Sequence, residues 1–218
     1  MRRRVRALNR RLERAYGPPA KKRLDPLDEL MLTILSQSTS DTNRDRGYAQ
    51  LRQRFPKWED VRTAPRAEIE DAIRAAGLWR QKARVLQETL EALLEDRGAL
   101  DLSHLEEMSN KEVIDYLTSL RGVGVKTAAC VLCFSMGRPY MPVDTHVHRL
   151  AKRLALIAER ATAEKAHEAL NGDDFVPPEL RFPFHIQLIR HGRAVCRAGG
   201  RPACGECVLA DLCPRVGV

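Results

Sequence analysis

Two residues in the middle of this sequence have the types and positions that nucleophilic chemistry needs. Lys126 follows the tight turn Arg121-Gly122-Val123-Gly124 and lies in the first turn of a predicted apolar helix. The helix dipole opposes a cation there and favours the neutral amine, which is a nucleophile that can form a Schiff base. Asp144 begins the next predicted helix. Lys126 is therefore a candidate nucleophile or a solvated surface lysine, and Asp144 is a catalytic carboxylate, a helix N-cap, or both.

The second chemical constellation is a group of four cysteines near the C-terminus, spaced C-x7-C-x2-C-x5-C. They are Cys196, Cys204, Cys207 and Cys213. Thiols this close together indicate a metal centre or disulfides, and disulfides are disfavoured in a chain without a visible secretory signal. Cys130 and Cys133 lie in an apolar helical stretch, which favours buried inert thiols over a redox-active pair.

The elements around Lys126 form a predicted helical hairpin. Residues Lys111–Leu120 place apolar side chains at helical spacing, and a second apolar helix is predicted from about 125 to 136. Between them, Gly122 and Gly124 allow a sharp bend. The free backbone N–H groups at the start of the second helix can bind an anion, and a DNA phosphate would fit there.

Helical periodicity extends along most of the chain. The N-terminal segment carries Val5, Leu8 and Leu12 on one face, and Asp25-Pro26 opens the next helix. Asp41 is the expected N-cap of the helix that follows it. Further helices are predicted over residues 26–35, 42–55, 65–76, 81–94, about 144–156, 163–170 and 184–196. No run of alternating β-branched residues is present, so the fold class is predicted to be all-α.

Composition sets broader bounds. The chain has 218 residues, 44% of them hydrophobic, which allows one large domain or two small lobes. A net charge of +8 and a pI of about 9.4 fit either an anionic partner or a solvated basic surface. No apolar run approaches the roughly 18 residues of a membrane span, and the basic N-terminus lacks the apolar core of a signal peptide. We expect a cytoplasmic protein that makes no use of a membrane.

The segments LRGVGVKTA and PVDTHVHR together resemble the endonuclease III family of DNA glycosylases, with its helix-hairpin-helix and Gly/Pro-Asp core. The resemblance implies that Lys126 attacks the C1′ atom of the sugar and that Asp144 assists. It also implies that Gly122, Val123 and Gly124 contact DNA. Arg121 stands where the family usually has proline, which should matter little because the glycines set the turn.

The same resemblance gives roles to two residues at helix ends. Gln37, in a small polar cluster after an apolar helix, matches the glutamine that enters DNA where the damaged base has left; the alternative is a core amide, which needs hydrogen-bond partners. Leu78, in the segment AGLWRQKA, matches an apolar wedge pushed between bases; the alternative is a core leucine. Ala76 is smaller than the residue that many members carry, which predicts a weaker wedge or a redistribution of its contacts.

For the four cysteines, the resemblance implies a [4Fe–4S] cluster held by four thiolates. The family's endonuclease III has six residues between the first two cysteines, whereas this chain has seven. A structural zinc site with four thiolate ligands is therefore the alternative. The loop between these two cysteines offers Arg197 and Arg201 to DNA phosphates.

The resemblance covers nearly the whole chain and implies two helical lobes with a DNA-binding cleft between them. A six-helix barrel should span residues 23–138, with the helix-hairpin-helix at about 111–136. An iron–sulfur lobe should comprise residues 1–22 and 139–218, with the cluster loop at 196–213. The expected partner is double-stranded DNA that contains a damaged base or an abasic site.

The expected function is that of a monomeric, nucleoid-associated bifunctional DNA glycosylase and AP lyase that removes oxidised pyrimidines of the thymine glycol type. Three alternatives stay open at this point. The chain could act on another base or a mismatch, bind damaged or abasic DNA without catalysis, or use its cluster as a redox sensor on DNA.

Overall fold

The structure is a computed structural model that describes residues 1–21, 23–199 and 202–218. Within those ranges every regular element is helical, which confirms the all-α prediction. The α-helices are α1 (Arg2–Tyr16), α2 (Pro26–Leu35), α3 (Asp41–Arg54), α4 (Trp58–Thr63), α5 (Arg66–Ala72), α6 (Trp79–Arg97), α7 (Asn110–Ser119), α8 (Val125–Cys130), α9 (Thr145–Arg153), α10 (Ala163–Asn171) and α11 (Arg181–Ala194).

The chain divides into two compact units. The central unit is the continuous segment Arg23–Met136, and the terminal unit combines Met1–Lys22 with Gly137–Val218. The predicted hairpin lies in the central unit, whereas the four C-terminal cysteines lie in the terminal unit.

Helix α2 forms the middle of the central unit. It begins as predicted, because the Asp25 side chain accepts a hydrogen bond from the N–H of Leu27 at 2.9 Å and Pro26 occupies the first helical position. Most apolar residues of α2 are buried, whereas Leu32 is partly exposed, and α3, α6 and α8 all pack against this helix. Helix α8, which carries Lys126, is thus held by apolar packing against α2.

Helix α1 supplies one wall of the core of the terminal unit. Val5, Leu8 and Leu12 are buried on one face, as their spacing predicts, while arginines occupy the exposed face. Helix α11 packs against both α1 and α9. Since Asp144 immediately precedes α9 and Cys196 closely follows α11, these two helices position the site residues of this unit.

The second hairpin helix differs from the prediction of one α-helix to Met136. It is α-helical only over Val125–Cys130 and continues as a π-helical turn over Val131–Ser135. The N–H of Met136 accordingly donates to the carbonyl of Val131 at 3.1 Å, five residues back. Such widened turns are frequent near functional sites.

The prediction that Asp41 is the N-cap of α3 is wrong. The helix begins at Asp41, and the side chain of Ser40 accepts the hydrogen bond from the N–H of Asn43 at 3.3 Å. Asp41 lies in the first helical turn and pairs with Arg44 at 3.4 Å. An acidic residue is favourable at this position because of the helix dipole, so both residues suit a helix start and the sequence pattern did not separate them.

Several other helix bounds also differ from the predictions; α6, for example, spans Trp79–Arg97 instead of the predicted 81–94. The helix predicted over 65–76 is α-helical over Arg66–Ala72 and then tightens into a 3₁₀ turn at Arg74–Ala76, which brings Ala76 against Gly47 of α3. Helix α11 starts at Arg181, three residues before the predicted Phe184. Pro183 is tolerated inside the first turn because its missing N–H would have had no intrahelical partner.

In the described part of the chain, no helix combines the length and the apolar character that crossing a bilayer requires.

Candidate functional site

The hairpin turn is held at its two glycines in different ways. Gly122 has φ +81°, a backbone conformation that L side chains rarely adopt. A β-carbon at Gly122 would also stand 2.7 Å from the Cγ1 atom of Val85 on α6, whereas a β-carbon at Gly124 would meet no atom within 4 Å. Val123 is buried between them, and its N–H donates to the carbonyl of Leu120 at 3.1 Å. The turn therefore packs against α6 at Gly122, while the space beside Gly124 is open.

Lys126 is the second residue of α8 and is partly exposed. Gly124 is the N-cap of this helix and makes no side-chain cap, so backbone N–H groups beside Lys126 have no capping side chain. This arrangement suits an anion. A basic side chain next to such a turn adds positive charge where an anion would bind.

A buried carboxyl group, Glu29 of α2, interacts electrostatically with Lys126 and with Arg44. Its side chain accepts a hydrogen bond from the hydroxyl of Thr33 at 3.0 Å, and the residue is only 6% exposed. Burial raises the pKa of Glu29 to about 7, although the Thr33 hydrogen bond and the two cations oppose this shift. Sequence reasoning missed Glu29, because two acidic residues in the first turn of a helix, here Asp28 and Glu29, are ordinary at a helix start.

Gln37 is partly exposed, so the core-amide interpretation does not describe it. Its Nε2 atom donates to the carbonyl of Gly122 in a long hydrogen bond of 3.4 Å. The structure therefore brings two of the predicted DNA-binding residues into contact. Because this hydrogen bond is weak, the Gln37 amide can exchange the Gly122 carbonyl for another partner.

Leu78 is 51% exposed and has a left-handed backbone conformation, with φ 47° and ψ 31°. A non-glycine residue in this conformation costs about 1–2 kcal/mol, and such strain persists where the surrounding structure imposes it. The core interpretation of Leu78 is wrong. The preceding Gly77 also has a positive φ, of 66°, so two successive residues turn the chain outwards and present an apolar side chain to solvent.

Asp144 caps α9. Its Oδ1 atom accepts a hydrogen bond from the N–H of Val147 at 2.8 Å, and its second carboxylate oxygen takes no part in that bond. The N-cap interpretation is therefore correct, and it is compatible with a further role. Lys126 belongs to the central unit and Asp144 to the terminal unit; their joint action stays a prediction.

Arg149 links the start of α9 to the cysteine segment. Its guanidinium donates to the carbonyl of Gly192 at 3.0 Å and to that of Cys196 at 2.9 Å, and it lies 3.1 Å from the Nδ1 atom of His146. Burial lowers the pKa of His146, although the Asp144 carboxylate opposes this. The neutral imidazole can accept the arginine hydrogen bond, so a continuous polar network connects the Asp144 turn to the first cysteine.

The four C-terminal thiols line one pocket. Its apolar walls come from Val195, Ala210 and Val218, and two arginines lie at its edge. The cysteines in its lining are Cys196, Cys204, Cys207 and Cys213. All four are free and partly buried. A pocket lined by four thiols and few other polar groups has the donor set of a thiolate-ligated metal centre.

Four partly buried thiols that line one apolar pocket fit a [4Fe–4S] cluster, and the same donor set would also fit a structural zinc ion.

Protein groups already contact several of the thiols. The Sγ atom of Cys196 accepts from the Arg153 guanidinium at 3.2 Å, and that of Cys207 lies 3.3 Å from the Nε2 atom of His191. The N–H of Leu209 donates to the Cys207 Sγ atom at 3.4 Å. Burial raises the pKa of the Cys207 thiol, the Leu209 N–H opposes this, and the neighbouring thiols add to it. Metal binding must therefore displace a proton here.

The remaining predicted residues are two arginines of the cysteine loop and two cysteines of the hairpin helix. Arg197 is exposed, and its Nε atom donates to the carbonyl of Ala194 at 3.1 Å, which leaves the rest of the guanidinium towards solvent. Arg201 lies outside the described residues. Cys130 and Cys133 are 2% and 5% exposed, which agrees with buried thiols that take no part in the pocket.

Two family models match the chain. Residues 31–172 match the model of the HhH-GPD superfamily base excision DNA repair protein. Residues 199–213 match the iron–sulfur binding domain of endonuclease III, a range that holds three of the four pocket cysteines and begins three residues after Cys196.

Relatives from several kingdoms align over most of the chain. Endonuclease III of Thermotoga maritima is 34% identical over 196 residues, which is 90% of this chain and 86% of that protein. Endonuclease III of Bacillus subtilis is 32% identical over 87% of this chain and 81% of its own length. An Arabidopsis thaliana protein named as a candidate DNA glycosylase is 38% identical over 88% of this chain, and the chain spans 65% of its length.

Solved structures show the same architecture. A trapped endonuclease III–DNA covalent intermediate aligns with a TM-score of 0.83 and 28% identity, over 99% of this chain and 96% of that one. A thermostable thymine-DNA glycosylase aligns with a TM-score of 0.79 and 21% identity, over 98% and 97% of the two chains, which is a likeness of fold.

Proposed function

Because the chain belongs to the endonuclease III family of base-excision-repair enzymes, DNA glycosylases with AP lyase activity, we propose that it removes oxidised pyrimidines of the thymine glycol type from duplex DNA and cleaves the resulting abasic site. The observation that supports this proposal most strongly is the position of Lys126, a partly exposed amine in the first turn of the hairpin helix, beside uncapped N–H groups. That turn provides an anion site and a nucleophile within three residues of each other.

In the proposed reaction, the Nζ lone pair of Lys126 forms a bond to C1′ of the damaged nucleotide. The C1′–N bond to the base breaks, and the base leaves with the bonding electrons and takes up a proton. The sugar ring opens to give a Schiff base between Nζ and C1′. Loss of a proton from C2′ then expels the 3′ phosphate by β-elimination, which nicks the strand on the 3′ side of the abasic site.

Asp144 is proposed to stabilise the positive charge that grows on the sugar and to accept the proton of the attacking amine. One of its oxygens caps α9 and fixes the orientation of the carboxylate. A carboxylate fixed before reaction costs little reorganisation when charge develops in the transition state. The same hydrogen bond thus supports the helix and prepares the group.

The DNA contacts are proposed for the hairpin turn and for two projecting residues. Gly122 and Gly124 would bind a phosphate through backbone N–H groups, and Val123, whose N–H is bonded to the carbonyl of Leu120, would hold the turn between them. Leu78 would enter the base stack and Gln37 would fill the space left by the extruded base. Arg197 and Arg201 would add phosphate contacts, and affinity should fall steeply with salt because counterions are released on binding.

The chain carries a [4Fe–4S] cluster. We propose Cys196, Cys204, Cys207 and Cys213 as its ligands. When bound, the cluster supplies a structural cross-link among four positions of the C-terminal segment 196–213. The seven-residue spacing between the first two cysteines places Gly199 in that loop, with φ +67°, a backbone conformation that accommodates a sharp turn.

Borohydride trapping tests the proposal. A monomeric protein with an intact cluster is incubated with one duplex that contains a thymine glycol and one that contains an abasic site. We expect covalent adducts with both duplexes, no adduct from Lys126→Ala, and full adduct formation from Lys165→Ala, which removes an exposed lysine on α10.

Other outcomes would redirect the assignment. Adducts with the abasic duplex alone would keep the lyase chemistry and contradict the oxidised-pyrimidine substrate, and duplexes with other lesions and mismatches would then be compared. No adduct with either duplex would contradict the lysine mechanism. DNA binding without adducts would favour a non-enzymatic damage-binding protein, and an affinity that changes on oxidation without turnover would favour a redox sensor.

A further inference from the structure

Lys82 of α6 is a buried lysine that the proposed mechanism does not use. It is only 2% exposed and belongs to the largest fully buried side chains of the described residues. Its Nζ atom donates to the carbonyl of Leu35 and to the carbonyl of Ala76, each at 2.7 Å. Burying an ammonium group is costly, so a lysine at this position calls for an explanation.

The two carbonyls lie at the C-terminal ends of two helical segments. Leu35 is the last residue of α2, and Ala76 is the last residue of the 3₁₀ turn that follows α5. Carbonyls at such ends lack intrahelical donors and carry the negative end of the helix dipole. One ammonium therefore satisfies two helix ends at once. Burial lowers the pKa of Lys82 to about 8, so most of the group is charged at neutral pH.

Each helix end leads directly to a residue proposed to enter DNA. Gln37 lies two residues after Leu35, and Leu78 lies two residues after Ala76. The Lys82 ammonium thus joins the bases of the two segments that project these side chains. The connection is made through the backbone, and it does not depend on the side chains of Leu35 or Ala76.

The same helix also supports the hairpin turn. Val85, three residues after Lys82 on α6, is the side chain that Gly122 closely approaches. Gln37 in turn donates to the Gly122 carbonyl at 3.4 Å. Two residues on one face of α6 therefore contact all three segments proposed to meet DNA. Val85 packs against the hairpin turn, and Lys82 bonds to the helix ends that precede Gln37 and Leu78.

We propose that Lys82 is a positioning residue that holds Gln37 and Leu78 at a fixed separation, so that both side chains enter the duplex together. This inference rests on the proposed function, because it assigns a purpose to the spacing of two DNA-contacting residues. Without the ammonium, two helix-end carbonyls would lose their shared donor and the two projecting segments would move independently.

A purely structural lysine would stabilise the fold without coupling the two residues, and a double-mutant cycle separates these cases. The cycle combines Lys82→Met, which keeps side-chain length but removes the charge and the donors, with Leu78→Ala. A parallel cycle uses Gln37→Ala. The readouts are affinity for a duplex with a tetrahydrofuran abasic analogue and the fluorescence of 2-aminopurine beside it, which reports base unstacking.

If Lys82 positions Leu78, Leu78→Ala should weaken specific binding about 10-fold or more in the native background and less than about 3-fold in the Lys82→Met background. Gln37→Ala should show the same loss of effect. Trapping assays should show a reduced kcat with a smaller change in KM for Lys82→Met. Lys165→Met, the matched change at an exposed lysine on α10, should leave every readout unchanged.

Lys82→Arg provides a second variant should Lys82→Met fail to fold. It keeps the charge and the donors but displaces the carbonyls, and the inference expects it to restore part of the coupling. Additive effects of Leu78→Ala and Lys82→Arg or Lys82→Met, in protein with native helicity and cluster content, would overturn the inference alone. Failure of the native protein to bind the abasic duplex would overturn the proposed function and this inference together.

Discussion

Gly122 lies directly against the side chain of Val85, so closely that a β-carbon on Gly122 would stand 2.7 Å from one methyl carbon and 2.9 Å from the other. The contact joins the hairpin turn to the long helix α6. It adds a packing requirement to the conformational one, since Gly122 also has φ +81°. The turn is therefore defined by tertiary contact as well as by local backbone freedom.

Gly122→Ala is expected to destabilise the protein by about 2–4 kcal/mol, because the strain of a positive φ adds to overpacking against Val85. Gly124→Ala is the matched control. Its β-carbon would meet open space and its φ is −97°, so the loss should stay below about 1 kcal/mol. Urea unfolding measures both losses, and equal losses would show that the Val85 contact is unimportant.

Asp144 can be separated into its capping and catalytic roles by two substitutions. Asparagine caps helices about as well as aspartate, whereas alanine does not. Asp144→Asn should therefore keep the stability of the native protein, and Asp144→Ala should lose about 1 kcal/mol. Both should reduce the single-turnover rate by about 100-fold or more.

Thermal unfolding and single-turnover glycosylase assays on the same preparations distinguish the two effects. A fully active Asp144→Asn variant would remove the carboxylate charge from the mechanism. A variant that loses stability and rate in parallel would assign the whole effect to the helix cap.

The features that sequence predicted well are those set by local chemistry. The Asp25-Pro26 helix start, the cap formed by Asp144 and the buried face of α1 each depend on residues within about one turn of one another. The hairpin likewise follows from two glycines between apolar helical segments. In these places the local preference and the tertiary structure agree.

The features that sequence did not predict depend on contacts between distant residues. Lys82 and Glu29 look like ordinary charged helix residues, and only the packing of α6 and α2 buries them. Leu78 could equally have been core, because its exposure results from two successive positive φ angles at a turn. Periodicity also cannot distinguish an α-helix from the π-helical turn after Cys130.

Glu29 should leave a measurable signature in the pH dependence of stability. Its pKa is about 7 in the folded protein, against 4.5 for the unperturbed group. Between these values the folded state holds a proton that the unfolded state has released, so the stability contributed by this group is present below pH 4.5 and lost as the pH rises to about 7. The change should amount to about 2–3 kcal/mol.

Glu29→Gln removes this titration, so its stability relative to the native protein should rise steadily between pH 4.5 and pH 7. Urea unfolding across that range gives the difference at each pH, which cancels the contributions of other titrating groups. Glu95→Gln, which makes the same change at an exposed position near the end of α6, serves as the matched control. A constant difference for Glu29→Gln would show that the carboxyl group is already ionised at pH 5.

Substitutions of the pocket cysteines and of the hairpin-helix cysteines should have opposite effects on the iron–sulfur content. Cys204 lines the pocket that the four thiols share, whereas Cys133 is buried in apolar surroundings. Cys204→Ala should lower bound iron and acid-labile sulfide from about four of each per chain to below about one, because a four-thiolate cluster loses a ligand. Cys133→Ala should keep both contents at the native level and cost only the stability of a small buried side chain.

Metal analysis of the purified proteins, together with their visible absorption, measures these contents. Zinc at about one per chain in the native protein, without sulfide, would contradict the iron–sulfur assignment. Loss of iron from Cys133→Ala with retention in Cys204→Ala would move the cluster to the other pair of thiols. The proposed ligands all belong to the terminal unit. In Cys204→Ala, that unit should therefore unfold at a lower temperature than the central unit.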